Sequence, residues 1–237
     1  MPPFDLIALD ADDTLWHNET LYRASRDEFV RLLADTAAEE TIVSKLDEIE
    51  GRNLEPFGFG IKAYTLSLIE TAVALTNGQV SGRTISQIVQ LAHAMIDAPV
   101  ELLAGVAETL PLLAAHNQLM LLTKGDLLDQ ERKLSRSGLA QYFSTVEIVS
   151  NKNTPGYTAV LQRHNLSAAR FMMVGNSLRS DVLPVLALGG SGVYIPFELT
   201  WLHESAETPS ADTAGFYELK NFSELPSLLE KLNHELH

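Results

Sequence analysis

Apolar positions follow two rhythms along this chain. Phe4 to Leu9, in "FDLIAL", is a short, largely unbroken apolar stretch ending at turn-forming Asp10, the pattern of a buried strand. From about Glu19 to Pro99 the apolar positions recur every three or four residues. "LYRASRDEFVRLLADTA", "TIVSKLDEIEG", "AYTLSLIETAVALTNG" and "TISQIVQLAHAMIDA" each predict a helix; Asn77-Gly78 closes the third and Pro99 follows the fourth. Beyond Pro99 the rhythms alternate. "GVAETLPLLAAH" predicts a helix that Pro111 kinks or breaks, and "QLMLLT" a strand. "DLLDQERKLSRSG" predicts a helix with Asp126 as N-cap and Gly138 just past its end. "TVEIVS", "RFMMVG" and "GVYIPF" read as strands, and "TPGYTAVLQRH" and "SDVLPVLALGG" as the helices between them. The tail "FYELKNFSELPSLLEKL" offers one more short strand and an amphipathic helix.

Helix–strand alternation of this kind predicts a parallel sheet covered on both faces. The first strand belongs with the second half, and the helical block interrupts them. The reading is an α/β protein: a core of residues 1–17 and 99–237 with a helical cap, 18–98, inserted after the first strand. The Leu and Met stripes of the cap helices read as its own core.

Composition narrows the partners. The 237 residues are 46% hydrophobic and 20% charged, suited to one sizeable domain or a domain with an insertion. A net charge of −14 argues against nucleic acid or an anionic membrane as partner. It also opposes an anionic substrate unless local cations or a metal reverse the field. Cysteine is absent, which rules out disulfides and thiolate metal sites and fits a reducing cytosol. "MPPFDLIALD" lacks the basic and apolar regions of a signal peptide, and no run of 18 apolar residues occurs. A cytoplasmic protein is expected.

Ligands of open α/β sheets bind beyond the C-terminal ends of the strands. Those ends carry Asp10, Asp12, Asp13 and Thr14, then Thr123, then Lys152, then "GNSLRSD" with Asn176 and Asp181. Carboxylates, a hydroxyl, an ammonium and an amide are the parts for moving a phosphoryl group. A carboxylate such as Asp10 can attack phosphorus and split one hard step into two. Asp12, two residues on, projects to the same side if the backbone stays extended, and there it can protonate a leaving alcohol and deprotonate water. Thr123 can donate to a phosphoryl oxygen, and Lys152 can neutralise its charge. A hard cation, Mg²⁺, would bind Asp10, the Asp12 carbonyl and a side chain of the "GNSLRSD" loop.

The ordered set of D-x-D, Thr, Lys and a late G-[DN]-x-x-x-x-D loop resembles the haloacid dehalogenase superfamily of hydrolases. A helical insertion between the first two motifs is similar to that family's C1-type cap, and the likeness spans nearly the whole chain. The resemblance implies a Rossmann-like core and a Mg²⁺-dependent phosphatase acting on a small phosphorylated metabolite. It implies Asp10 as nucleophile, Asp12 as acid/base, Thr123 and Lys152 on the phosphoryl group, and Asn176 and Asp181 on the metal side. Two departures stand out: Asp13 where phosphatase members often have Gly, and Asn176 where many carry Asp. The second removes one negative charge, so weaker metal binding is expected, with Asp181 taking a larger share.

Three other functions compete. Haloacid dehalogenation also uses an Asp nucleophile but needs neither a metal nor an acid at the second position, so Asp12 counts against it. A phospho-receiver domain is disfavoured by the sequence separation of 113 from Asp10 to Thr123. A weakly catalytic protein that binds a phosphorylated metabolite is kept open by Asn176. Of the remaining residues, Asp13 reads as an exposed turn or cap residue and Thr14 as shaping its loop. Lys124 is either a surface lysine or one that meets an anionic substrate. His17 follows Trp16 without metal-ligand spacing. "GFG" at Gly58 to Gly60 lacks the third glycine of a dinucleotide site and is read as a bend that could bring Lys62 towards the core site.

Overall fold

The computed structural model describes residues 4–199 and 206–235. The first strand, β1 (Leu6–Leu9), is followed by four helices: α1 (Glu19–Leu32), α2 (Glu39–Phe57), α3 (Ile61–Leu75) and α4 (Gly82–Asp97). Then come α5 (Val106–His116), β2 (Leu119–Lys124), α6 (Leu127–Ser137), β3 (Thr145–Val149), α7 (Thr154–Arg163) and β4 (Phe171–Gly175). The chain ends through α8 (Leu183–Leu186), β5 (Ser191–Tyr194), β6 (Phe216–Glu218) and α9 (Leu225–Glu235). The strands form one sheet in the order β3-β2-β1-β4-β5-β6, every pairing parallel. This is the Rossmann-like α/β arrangement, and its order reverses between β1 and β4.

Alternation across the sheet explains the unbroken apolar runs. Ile7 and Leu9 face Leu119, Leu121, Met172 and Val174 together with α5 and α9. Leu6 and Ala8 face the opposite way, with Met120, Leu122, Phe171 and Met173 under Tyr157, Val160 and Leu161 of α7. Both faces are buried, so neither can be polar.

Contacts divide the chain into two compact units. One comprises Met1–Glu19, Val100–Lys124 and Gln130–His237; the other Thr20–Pro99 with Gly125–Asp129. The helical unit has its own core of Phe29, Ile42, Leu46, Leu68 and Ile88. Its loop at Gly60 passes so close to Asp126 that a Cβ there would lie 3.2 Å from the Asp126 nitrogen, and Lys62 pairs with Asp126 at 2.9 Å. Asp126 also accepts the Asp129 N–H at 3.2 Å, the N-cap expected of it. No helix among the described residues is long and apolar enough to cross a membrane.

Three elements differ from expectation. α2 continues past Gly51 to Phe57. A helical glycine costs about 1 kcal/mol, but Ile49 and Asn53 bracket Gly51 as buried residues, and Asn53 donates to Ser67 Oγ at 3.1 Å. α5 runs unbroken through Pro111, with buried Leu110 and Leu113 anchoring it on both sides. The segment expected as a helix from Ser180 onwards instead opens as a wide π turn, Leu178–Val182, ahead of the four-residue α8. Asp181 is the cause: its Oδ2 accepts the Ser177 N–H at 3.0 Å, drawing the chain back on itself.

Glu50, in the helical unit, gives a pH signature. Burial pushes its carboxyl up to about 7, against the pull of Arg26 3.9 Å away. The neutral form is thus the one the fold favours, and that stabilisation fades as pH climbs from the unfolded value through about 7. Between pH 5 and pH 8 wild type should lose about 2 kcal/mol more stability than Glu50→Gln. Urea unfolding at both pH values measures the difference; parallel losses would show that Glu50 is not the sensor.

Candidate active site

β1 delivers Asp10 into the reversal point of the sheet. Its N–H continues the ladder to the Val174 carbonyl at 2.9 Å, and its side chain is buried. Lys152, from the turn after β3, hydrogen-bonds Asp10 Oδ1 and also Asp181 Oδ1, the latter at 2.7 Å. Two carboxylates thus share one buried ammonium. Burial pushes Asp10 up to about 7, with Lys152 pulling down and Asp181 adding to the rise. Burial would strip the proton from Lys152, but Asp10 and Asp181 outweigh it and push that ammonium up to about 12. The cluster therefore carries one unbalanced negative charge once Asp10 ionises.

The turn after Asp10 is tightly wound. The Ala11 carbonyl accepts from Thr14, Leu15 and Trp16 N–H groups, and Asp13 adopts the left-handed conformation at φ 59°. Asp13 is buried, not exposed, and its carboxylate accepts the Asn18 and Glu19 N–H groups at 2.8 and 3.0 Å at the start of α1. It is a cap residue, and burial pushes its carboxyl up to about 7.

Asp12 meets a different environment. Its Oδ1 accepts from Trp16 Nε1 at 2.8 Å and its Oδ2 from Gln130 Nε2 at 2.8 Å, while Lys133 Nζ lies 2.8 and 3.0 Å from the two oxygens. Burial alone would raise its carboxyl; Lys133 and the amide and indole donors prevail and hold it below the ordinary carboxylate range. Neighbouring aspartates on one loop are thus driven in opposite directions.

The loop after β4 closes the site. Gly175 admits Asp181 because it lacks a Cβ; one would fall 2.1 Å from Asp181 Oδ2. With Oδ1 on Lys152 and Oδ2 on Ser177, Asp181 is committed to orienting the ammonium and the loop. Asn176 lies over the first loop. Its N–H donates to Thr14 Oγ1 at 3.1 Å, and one terminal atom of its amide sits 3.2 Å from both the Asp12 carbonyl oxygen and Asp10 Oδ2. With nitrogen there, the amide donates to both. With oxygen there, the Thr14 hydroxyl is the donor at hand, 3.3 Å from both the amide oxygen and Asp10 Oδ2, and the Asp12 carbonyl faces the amide oxygen with no proton between them. Among the described residues no group of three His, Asp or Glu side chains is arranged to hold a metal. A hard cation fits this set through a carbonyl and an amide as much as through charge.

Other expected residues fall as follows. Thr123 is buried at the end of β2, its hydroxyl 3.5 Å from the Lys124 carbonyl oxygen. Lys124 donates to Ser180 Oγ at 2.8 Å, tying β2 to the π turn. Lys62 pairs with Asp126 inside the helical unit, and the His17 ring packs 5.9 Å from Phe197. Thr14, read as shaping its loop, has its hydroxyl 3.3 Å from both Asp10 Oδ2 and the Asn176 amide oxygen. Sequence reasoning passed over Gln130, Lys133 and Trp16 around Asp12, and Tyr157, which donates to the Ser180 carbonyl at 3.0 Å. The "Q-x-x-K" spacing on one face of α6 was the available signal.

Residues 4–189 match the family model of the haloacid dehalogenase-like hydrolases. No curated protein matches the chain. A haloacid dehalogenase-like family hydrolase from Xanthomonas campestris is 39% identical, with a TM-score of 0.88 over 99% of this chain and 94% of that one. Two further solved structures share the fold. One is a 2-haloacid dehalogenase from Pseudomonas syringae: 19% identity, TM-score 0.64, coverage 96% of this chain and 99% of that one. The other is a predicted phosphoglycolate phosphatase from Haemophilus somnus: 16% identity, TM-score 0.65, the same coverage.

Proposed function

The chain belongs to the haloacid dehalogenase-like hydrolases, and from that premise we propose that it hydrolyses small phosphomonoesters by way of a phosphorylated Asp10, with Mg²⁺ beside it. The observation that carries this reading is a second carboxylate, Asp12, two residues after Asp10, with the Asn176 amide 3.2 Å from both Asp10 Oδ2 and the Asp12 carbonyl. Displacement of halide from carbon needs neither.

In the proposed reaction an Asp10 oxygen attacks phosphorus while the bond to the alcohol breaks. The alcohol oxygen takes a proton from Asp12, which holds that proton against the pull of Lys133. Water then attacks the phosphorus on Asp10, gives its proton to Asp12 and releases inorganic phosphate and the free carboxylate. Thr123 donates a hydrogen bond to a phosphoryl oxygen, and Lys152, steadied by Asp181, offsets the charge that builds there. Asp10, the Asp12 carbonyl and Asn176 would hold Mg²⁺, which when bound supplies positive charge to the phosphoryl oxygens. The helical unit, inserted between Asp13 and Thr123, serves in this reading as a cap and selects small substrates.

Release of phosphate from p-nitrophenyl phosphate, abolished by EDTA and restored by Mg²⁺, is the expected result. Release of chloride from 2-chloropropionate without metal would overturn the reading in favour of a dehalogenase. Asn176→Asp restores a negative charge to the proposed cation site and should tighten Mg²⁺ by roughly tenfold, read as the Mg²⁺ concentration for half-maximal activity. An unchanged value would remove Asn176 from the ligand set.

A further inference from the structure

α6 brings a second layer of chemistry to Asp12. Gln130 and Lys133 are one turn apart on the same helix face, and both reach the Asp12 carboxylate. Lys133 also donates to Asn18 Oδ1 at 2.9 Å, so its ammonium spans the two ends of the turn that begins at Asp12. Gln130 donates to the Lys124 carbonyl at 3.1 Å as well as to Asp12, while its own Oε1 is buried without a hydrogen-bond partner. A buried oxygen without a donor costs about 1–3 kcal/mol, a cost tolerated where the other end of the amide is required.

An aspartate has two free torsions, and four donor contacts leave Asp12 one orientation. We propose that Lys133 is the positioning residue of Asp12: it holds the carboxylate, from a helix, at the place from which a proton is passed to the leaving alcohol. Gln130 and Trp16 share the work, but Lys133 supplies two of the four contacts and the charge. The inference rests on Asp12 as the acid/base of the proposed reaction.

Leaving-group chemistry tests it. An alkyl alkoxide must be protonated to leave, whereas nitrophenolate leaves without a proton, so loss of a positioned acid falls mainly on the alkyl ester. kcat/KM reports events through the first irreversible step and so isolates that proton transfer from the later attack of water. Lys133→Gln should lower kcat/KM for glycerol 2-phosphate about 10²-fold and for p-nitrophenyl phosphate no more than a few fold. Lys133→Arg should recover most of the loss, and Lys133→Gln added to Asp12→Asn should cost nothing further. Equal loss on both esters, or further loss in the Asp12→Asn background, overturns the proposal. If Asp12→Asn itself hydrolyses both esters like wild type, the reading of Asp12 fails, and that outcome is distinct from an impaired Asp12→Asn beside an unimpaired Lys133→Gln. A readout without turnover is the indole N–H resonance of Trp16, one of two tryptophans. Lys133→Gln should move it upfield as the hydrogen bond to Asp12 loosens, and an unmoved resonance counts against the proposal.

Discussion

Asp10→Asn loses at least about 10⁴-fold in kcat, the scale on which removing a nucleophile acts, while the folded protein becomes no less stable. The two effects part because of the cluster's charge. In wild type, Lys152 lies between Asp10 and Asp181, and burial raises Asp10 to about 7. A raised carboxyl stabilises the fold in its neutral form, and that contribution is lost as pH rises from the unfolded value through about 7. Asparagine carries no such charge at any pH. In EDTA the variant should therefore gain on wild type between pH 5 and pH 8, read as the urea midpoint at each. A variant that is inactive because it is unfolded, or one that retains phosphate release, would each refute the assignment of Asp10.

Lys152→Met acts the other way. It leaves two buried carboxylates without their cation, and an uncompensated buried charge destabilises by about 3–5 kcal/mol. In a chain of 237 residues that is roughly 6–20 °C in Tm. The loss should be full at pH 8 and smaller at pH 5, where Asp10 takes up a proton and relieves the repulsion. Adding Asp10→Asn to Lys152→Met removes one of the two charges, so the double variant should melt higher than Lys152→Met alone. Thermal unfolding of the three variants at both pH values in EDTA decides it. Equal losses at pH 5 and pH 8 would mean that Lys152 matters through packing and not through charge.

What could be read from the sequence follows the range of the forces involved. β1, β2 and β4 were legible because a strand buried on both faces must be a continuous apolar run, as in "LIAL" and "FMMV". Their ends then marked Asp10, Thr123, Asn176 and Asp181, and the end of the less buried β3 marked Lys152, since parallel strands bring all their C-terminal ends to one edge. Local rules failed where distant contacts took over. The apolar spacing of "SDVLPVLALGG" is helical, but Asp181 is held by Lys152 and Ser177, and the turn widens to reach them. Asp13 has the composition of a surface turn and is buried because α1 begins against it. Gln130 and Lys133 are 118 and 121 residues from Asp12, and no periodicity links them.

The central place of β1 has a consequence for how the protein is made. β1 pairs with β2 on one side and β4 on the other, partners that begin at Leu119 and Phe171. Synthesis at about 5–20 residues per second leaves β1 waiting roughly ten seconds for its first neighbour. In that interval α1 to α4 emerge, and their pairings are close in sequence, so they assemble before the sheet can. The helical unit shortens the effective path between Asp10 and Thr123 once it has formed, and a longer closed loop costs little in any case, about 0.6 kcal/mol per doubling. Sheet closure is the slow event, and the Asp10–Lys152–Asp181 cluster comes into being only with it: an emerging chain carries Asp10 long before it carries that cluster.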